Sequence, residues 1–221
     1  LDSNVSRLLI TSTSEVYGTA KYVPIDENHP LQGQSPYSAS KIASDQLAFS
    51  YFSSFNLPLT IVRPFNTFGP RQSARAIIPT IITQIASGKN EINLGSLAPT
   101  RDFNFVLDLV NAYELIMNSN SGYGETVNIG SGYEISILDL VNLIAELMNT
   151  KIKIITKENR IRPKNSEVFR LIANSKKASN LYNWKPKISG KEGFIDGLKK
   201  TIDWFSNKQN LLSYKFNKYN I

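Results

Sequence analysis

The chain has 221 residues, a formal charge of +7, a single histidine and no cysteine. That composition excludes disulfides, thiolate metal centres and histidine-rich metal sites, and it is compatible with a reducing cytoplasm. No apolar run reaches the ~18 residues that a membrane-crossing helix needs. The cations are scattered, without the basic stripe and interleaved aromatics of a nucleic-acid module, so neither nucleic acid nor membrane is expected as a partner. A lysine-rich solvated surface accounts for them, and an anionic small-molecule substrate would also suit them.

In chain order, Arg7 to Ser12 is a short apolar run of the kind buried in a parallel sheet. It ends in the polar cluster Thr13-Ser14-Glu15-Val16-Tyr17-Gly18, at the strand end where open α/β sheets bind ligands. Residues 19–35 contain Pro24, Asp26, Pro30 and Gly33 and read as a loop. Ser35 then suits an N-cap and Pro36 a first helical residue, opening a helix to about Phe55 that stops at 56–58. On it, Ile42, Ala43, Leu47, Ala48, Tyr51 and Phe52 keep helical spacing. Tyr37 and Lys41 lie one turn apart on one face. An ammonium so close to a phenol favours the phenolate, which is a base able to take a proton from a sugar or alcohol hydroxyl.

Leu59 to Arg63 reads as a second buried strand, so strand, helix and strand imply a right-handed crossover with parallel pairing. A helix follows from Ile77 to Ala86, closed by Gly88, and then a short strand from Ile92 to Gly95. Arg101-Asp102-Phe103 precedes a helix over about 106–118, with Leu109, Val110, Tyr113 and Ile116 or Met117 as its apolar face. Thr126 to Gly130 is a strand, Ser136-x-x-Asp139 opens an amphipathic helix, and Lys151 to Thr156 alternates like a strand. Arg162-Pro163 falls in a loop, Ser175 to Tyr182 in a short helix, Trp184-Lys185-Pro186 in a turn, and Gly193 to Phe205 in the last amphipathic helix. The tail from Asn207 is polar and expected to fray. No glycine-rich loop opens a βαβ unit, so nothing in the sequence can cradle a dinucleotide pyrophosphate.

The ordered set Ser12-Thr13-Ser14-Glu15-Val16-Tyr17-Gly18, Tyr37-x-x-x-Lys41 and Arg63-Pro64-Phe65-Asn66-Thr67-Phe68-Gly69-Pro70-Arg71 resembles the extended short-chain dehydrogenase/reductase family. Arg101-Asp102-Phe103, Asn128-Ile129-Gly130 and Trp184-Lys185-Pro186 continue the resemblance to about Phe205. Within that family the chain is most similar to nucleotide-sugar 4,6-dehydratases, in particular the UDP-N-acetylglucosamine 4,6-dehydratases of legionaminic acid-type pathways. Family 4-epimerases usually carry a small residue where Glu15 stands. UDP-glucuronate decarboxylases typically show Tyr-Asp-Glu-Gly-Lys where this chain has Tyr37-Ser38-Ala39-Ser40-Lys41.

The resemblance implies an α/β fold: the C-terminal part of a Rossmann-like doubly wound parallel sheet, with a small mixed α/β substrate-binding lobe. Residues 1–75, with strand 126–130 and its preceding helix, would be the remainder of the NAD-binding domain; 76–205 would be mainly the substrate lobe and 206–221 a polar tail. It implies NAD as cofactor, a nucleotide sugar as substrate and a homodimer through the Tyr37 helix, whose outward face would carry Phe49 and Phe52. Tyr37 would take the proton of the sugar 4-hydroxyl, Lys41 would bond the nicotinamide ribose, Thr13 would steady the 4-oxygen and Glu15 would remove the C5 proton. Many relatives place Asp where Ser14 stands, which leaves open whether Ser14 relays a proton at C6 or Glu15 serves both steps. Ser12, Pro64 and Phe65 would lie by the cofactor; Asn66, Arg71, Arg101 and Arg162 would meet the nucleotide sugar. Because the glycine loop is missing and the first residue is Leu1, the chain reads as part of a longer dehydratase and is not expected to hold NAD tightly or turn over by itself. The alternatives are a 4-epimerase, a decarboxylase, or a non-catalytic remnant that binds a nucleotide sugar or a partner.

Overall fold

The computed structural model describes residues 5–161, 163–212 and 214. Its first sheet is parallel: β1 (Leu8–Thr11) pairs with β2 (Leu59–Pro64), Leu8 opposite Leu59, and β2 pairs with β6 (Thr126–Ile129), Ile61 opposite Thr126. The central strand β2 is buried from Leu59 to Arg63, as its unbroken apolar run requires, whereas Leu8 to Ile10 at the β1 edge are only partly buried.

The crossover between β1 and β2 is α1 (Pro36–Phe55). Ser35 Oγ accepts from the Ser38 N–H at 3.1 Å while Ser38 Oγ accepts from the Ser35 N–H at 3.0 Å, a reciprocal cap with Pro36 at the first helical position. The helix ends on Asn56 in the left-handed region (φ 52°). Ala48 and Phe52 pack on Leu59 and Ile61. Phe52, expected on the outer face, thus turns toward the sheet; Leu47, Phe49, Tyr51 and Phe55 are the exposed apolar residues.

Successive strand residues face opposite ways, so Val62, next to Ile61, belongs to the other side of the sheet. There α3 (Val106–Met117) and α5 (Lys176–Tyr182) close a core of Val62, Ala112, Ile116, Val127, Ile129, Ala178, Tyr182 and Trp184. The inward stripe of α3 is Leu109, Ala112, Tyr113 and Ile116; Val110 and Met117 are exposed, because the small Ala112 takes the inward position. Helix α5 packs against β6 of this first sheet.

The second unit is built on β5 (Thr100–Phe105), a strand that the sequence does not announce. It pairs in parallel with β3 (Asn66–Phe68), antiparallel with β7 (Glu134–Ser136) and in parallel with β9 (Arg170–Leu171). A separate parallel pair joins β4 (Glu91–Leu94) and β8 (Lys153–Thr156). Helices α2 (Ile77–Ala86), α4 (Ile137–Leu147) and α6 (Gly190–Ser206) enclose the largest core, with Phe68, Ile82, Phe103, Phe105, Leu140, Phe194 and Leu198 at its centre. The tail does not fray at once: a short helix α7 (Lys208–Leu212) follows, and the Tyr214 ring packs against Trp204 and Phe205. Among the described residues no helix is long and apolar enough to cross a membrane.

Candidate active site

Beyond β1 the chain makes a 3-10 turn, Ser14–Tyr17, capped by Thr13, whose Oγ1 accepts from the Glu15 N–H at 3.2 Å. With its oxygen so engaged, the Thr13 hydroxyl hydrogen remains a donor. Ser12, Thr13 and Ser14 are buried, and Ser12 Oγ has no hydrogen-bond partner among the described residues. Helix α1 packs on this turn. Lys41 Nζ donates to the Thr11 carbonyl at 3.0 Å, which pins the ammonium to the strand end. Tyr37, one turn earlier, has 53 % of its surface accessible, so its phenol is open to a ligand.

Glu15 opens into a cavity of about 280 Å³, which it lines with Asn66, Gln72, Arg75, Arg101, Arg160 and Glu167, over apolar Ile77, Leu94 and Phe103. Asn66 starts β3 and lies opposite Phe103 of β5, so the β3–β5 pairing sets Asn66 and Arg101 on one wall. The buried Arg101 donates through Nη1 to the Thr100 carbonyl (2.9 Å), and its Nη2 lies 3.5 Å from Glu167 Oε1. Arg160 Nη1 donates to the Asn93 carbonyl at 2.7 Å, and the close approach of its backbone explains Gly95, where a Cβ would stand 2.2 Å from the Arg160 carbonyl oxygen. Gln72 Nε2 donates to the Thr67 carbonyl at 2.6 Å. Its Oε1, like Asn66 Oδ1, is buried with no hydrogen-bond partner among the described residues. Guanidinium groups match the planar anionic faces of phosphate, and the two unpaired acceptors call for hydroxyl or N–H donors.

Asp102, next to Arg101, is fully buried and accepts from Ser131 N and Oγ, Gly132 N and Ala173 N at 2.6–3.0 Å. Burial pushes its carboxyl above the ordinary carboxylate value, against the pull of those four donors. It fastens β5 to the 131–132 turn and to Ala173, and so fixes the wall that carries Arg101.

Of the expected site residues, Glu15, Asn66 and Arg101 meet in the cavity. Thr13 and Ser14 sit behind Glu15 in the turn, and Tyr37 and Lys41 lie on the neighbouring helix; none of these four lines the cavity. Arg71 does not line it either: it is exposed, in the left-handed region (φ 67°), and lies near Tyr214. Gln72 and Arg75 stand on the cavity wall instead. Phe65 is buried among Val16, Tyr17, Ile25 and Val168, while Pro64 stays half-buried at the strand end. Arg162 lies outside the described residues. The sequence reading missed Gln72, Arg75, Arg160 and Glu167. Gln72 directly follows Arg71, Arg75 lies one helical turn's length beyond it in sequence, and the other two flank Arg162-Pro163, so proximity to the motifs is the available signal.

Residues 2–196 match the family described as GDP-mannose 4,6 dehydratase. The chain belongs to this family of NAD-dependent epimerases and dehydratases. Among its members the human dTDP-D-glucose 4,6-dehydratase is 31 % identical over 219 residues, covering 97 % of this chain and 60 % of the relative. A putative UDP-glucose 4-epimerase of Methanocaldococcus jannaschii is 32 % identical over 200 residues, covering 89 % and 62 %. The crystal structure of dTDP-glucose 4,6-dehydratase from Bacillus anthracis in complex with NAD superposes with a TM-score of 0.80 at 30 % identity, over 92 % of this chain and 62 % of that one. The chain thus spans about three-fifths of the length of the relatives it matches, and its α/β architecture of parallel sheets is theirs.

Proposed function

We propose that this chain is the substrate-binding and catalytic part of a nucleotide-sugar 4,6-dehydratase that uses NAD, with UDP-N-acetylglucosamine as substrate. The observation that carries the reading is the placement of Glu15: it lines the same cavity as Asn66 and Arg101, on the turn against which the Tyr37 helix packs. Inversion at C4 needs one acid–base group at that carbon, whereas elimination across C5 and C6 needs a second base, and Glu15 supplies it.

The residues at the β1 end fit the cofactor. Ser12 Oγ is a buried hydroxyl with no partner among the described residues, Lys41 is held at the strand end, and Tyr37 is open beside them. Ser12, Tyr37 and Lys41 would hold the nicotinamide ribose side, with Pro64 at the neighbouring strand end. When bound, NAD supplies the hydride acceptor for C4 and the donor for C6. Tyr37, as the phenolate, removes the 4-hydroxyl proton, and the Lys41 ammonium one turn away offsets the charge of that phenolate. Thr13 donates to the 4-oxygen. Once C4 is a ketone the C5 proton is acidic, and Glu15 takes it. Of Ser14 and Glu15 only Glu15 lines the cavity, so we assign to it also the proton that leaves with the 6-hydroxyl as water. Arg101 and Asn66 bind the diphosphate and sugar, with Arg162 as a further phosphate partner. The cysteine-free composition suits a reducing cytoplasm. The exposed Leu47, Tyr51 and Phe55, i, i+4 and i+8 on α1, make that face the one through which two copies would pair.

The test is mass spectrometry of the protein carrying this chain, loaded with NAD and offered UDP-, GDP- and dTDP-sugars. UDP-N-acetylglucosamine is expected to lose one water, and Tyr37→Phe to slow turnover by about 10²-fold or more. An unchanged mass with inversion at C4 would assign an epimerase, and a wild-type rate in Tyr37→Phe would remove the base assignment.

A further inference from the structure

Beneath the candidate site, four polar side chains at most 5 % exposed form one connected group: Tyr17, Asp45, Arg63 and Asn128. Arg63, on β2, donates from Nε to Asp45 Oδ2 at 3.0 Å, and its Nη2 lies 3.0 Å from the same oxygen. Its Nη1 donates to the Tyr17 hydroxyl oxygen at 3.0 Å. The Tyr17 hydroxyl donates to Asn128 Oδ1 at 2.7 Å, Asn128 Nδ2 donates to the Ile25 carbonyl at 3.1 Å, and the Asn128 N–H donates to Glu27 Oε1 at 2.7 Å. Asp45 Oδ1 is buried with no hydrogen-bond partner among the described residues, so Arg63 is the described group that compensates its charge.

Asp45 lies one turn beyond Lys41 on α1, and Tyr17 lies two residues beyond Glu15. We propose that Arg63 and Tyr17 are positioning residues that lock the helix of Tyr37 and Lys41 to the turn of Thr13 and Glu15. The inference rests on the dehydratase reading, and it adds the device that holds the two halves of the acid–base machinery in register. A planar fork is required. One guanidinium reaches Asp45 along one edge and Tyr17 with the remaining nitrogen, whereas an ammonium is a point donor that can serve one of the two well. Displacements near 1 Å can cost about 10²-fold in rate, so a loose turn is expected to show in kcat.

Two variants that keep the packing test this: Tyr17→Phe, which deletes only the hydroxyl, and Arg63→Lys, which keeps a cation for Asp45. The first readout is amide hydrogen exchange on the whole protein that carries this chain. Exchange is expected to speed up about tenfold in residues 14–18 and the first turns of α1, and to stay unchanged in β2, because local and global openings expose different amides. Unchanged exchange in the turn, or a uniform rise that includes β2, would overturn the coupling. The second readout is turnover by the NAD-loaded protein: kcat is expected to fall at least about tenfold with KM held within about twofold, and an unchanged kcat would overturn the positioning role. A wild-type protein that dehydrates no nucleotide sugar would sink the dehydratase reading alone, since the exchange experiment does not depend on it.

Discussion

Tyr17 and Tyr37 are two phenols near one strand end with opposite fates. Tyr37 is half exposed, whereas Tyr17 is fully buried, and burial pushes its pKa up to about 12 although Arg63 pulls the other way. An unfolded tyrosine titrates near ~10, so the folded state holds this proton more tightly and the stability it confers is complete below that pH. Between about pH 10 and 12 the unfolded chain has released the proton and the folded one has not, so stability falls. The wild type is expected to lose about 1 kcal/mol more than Tyr17→Phe between pH ~10 and ~11, read from urea midpoints. Equal losses would show that Tyr17 keeps no tighter hold on its proton when folded. None of this is legible in the sequence, where Tyr17 is one letter of a motif. Its burial depends on the Arg63, Asn128 and Phe65 contacts, all at least 46 residues away.

At the scale of elements, the strongly patterned segments were legible. The helix expected from Ile77 to Ala86 is α2, and the Ser35–Pro36 cap opens α1. Strand β5 was not, because Thr-Arg-Asp-Phe-Asn-Phe sets Asp102 and Asn104 at positions that are fully buried. Local reasoning sends such residues to the surface, and only the donors of Ser131, Gly132 and Ala173 make the burial of Asp102 tolerable. The docking of α1 depends likewise on a distant glycine. Gly124 has φ 75°, and a Cβ there would stand 2.2 Å from the Phe52 ring. Gly124→Ala is therefore expected to cost roughly 1–3 kcal/mol through strain and overpacking, and to lower the melting temperature by about 2–4 °C per kcal/mol. A melting curve unchanged from wild type would show that Phe52 has room to move.

On the scale of the whole molecule, the exposed Leu47, Tyr51 and Phe55 share one face of α1, which has no partner among the described residues. Light scattering is expected to report a dimer that Leu47→Glu dissociates, since a buried unpaired carboxylate opposes association; a monomer at high concentration in the wild type would count against that interface. Sequence alone was enough for the parallel crossover, the cap of α1 and the order of the motifs. Each of these depends on residues a few positions apart, within reach of propensity and periodicity. Tertiary structure alone decided that Gln72 and Arg75, not Arg71, face the cavity, that Phe65 belongs to the core, and that Arg63 bridges Asp45 to Tyr17. Those outcomes depend on which side of a backbone turn a side chain leaves and on partners brought together by folding, and no local pattern encodes either.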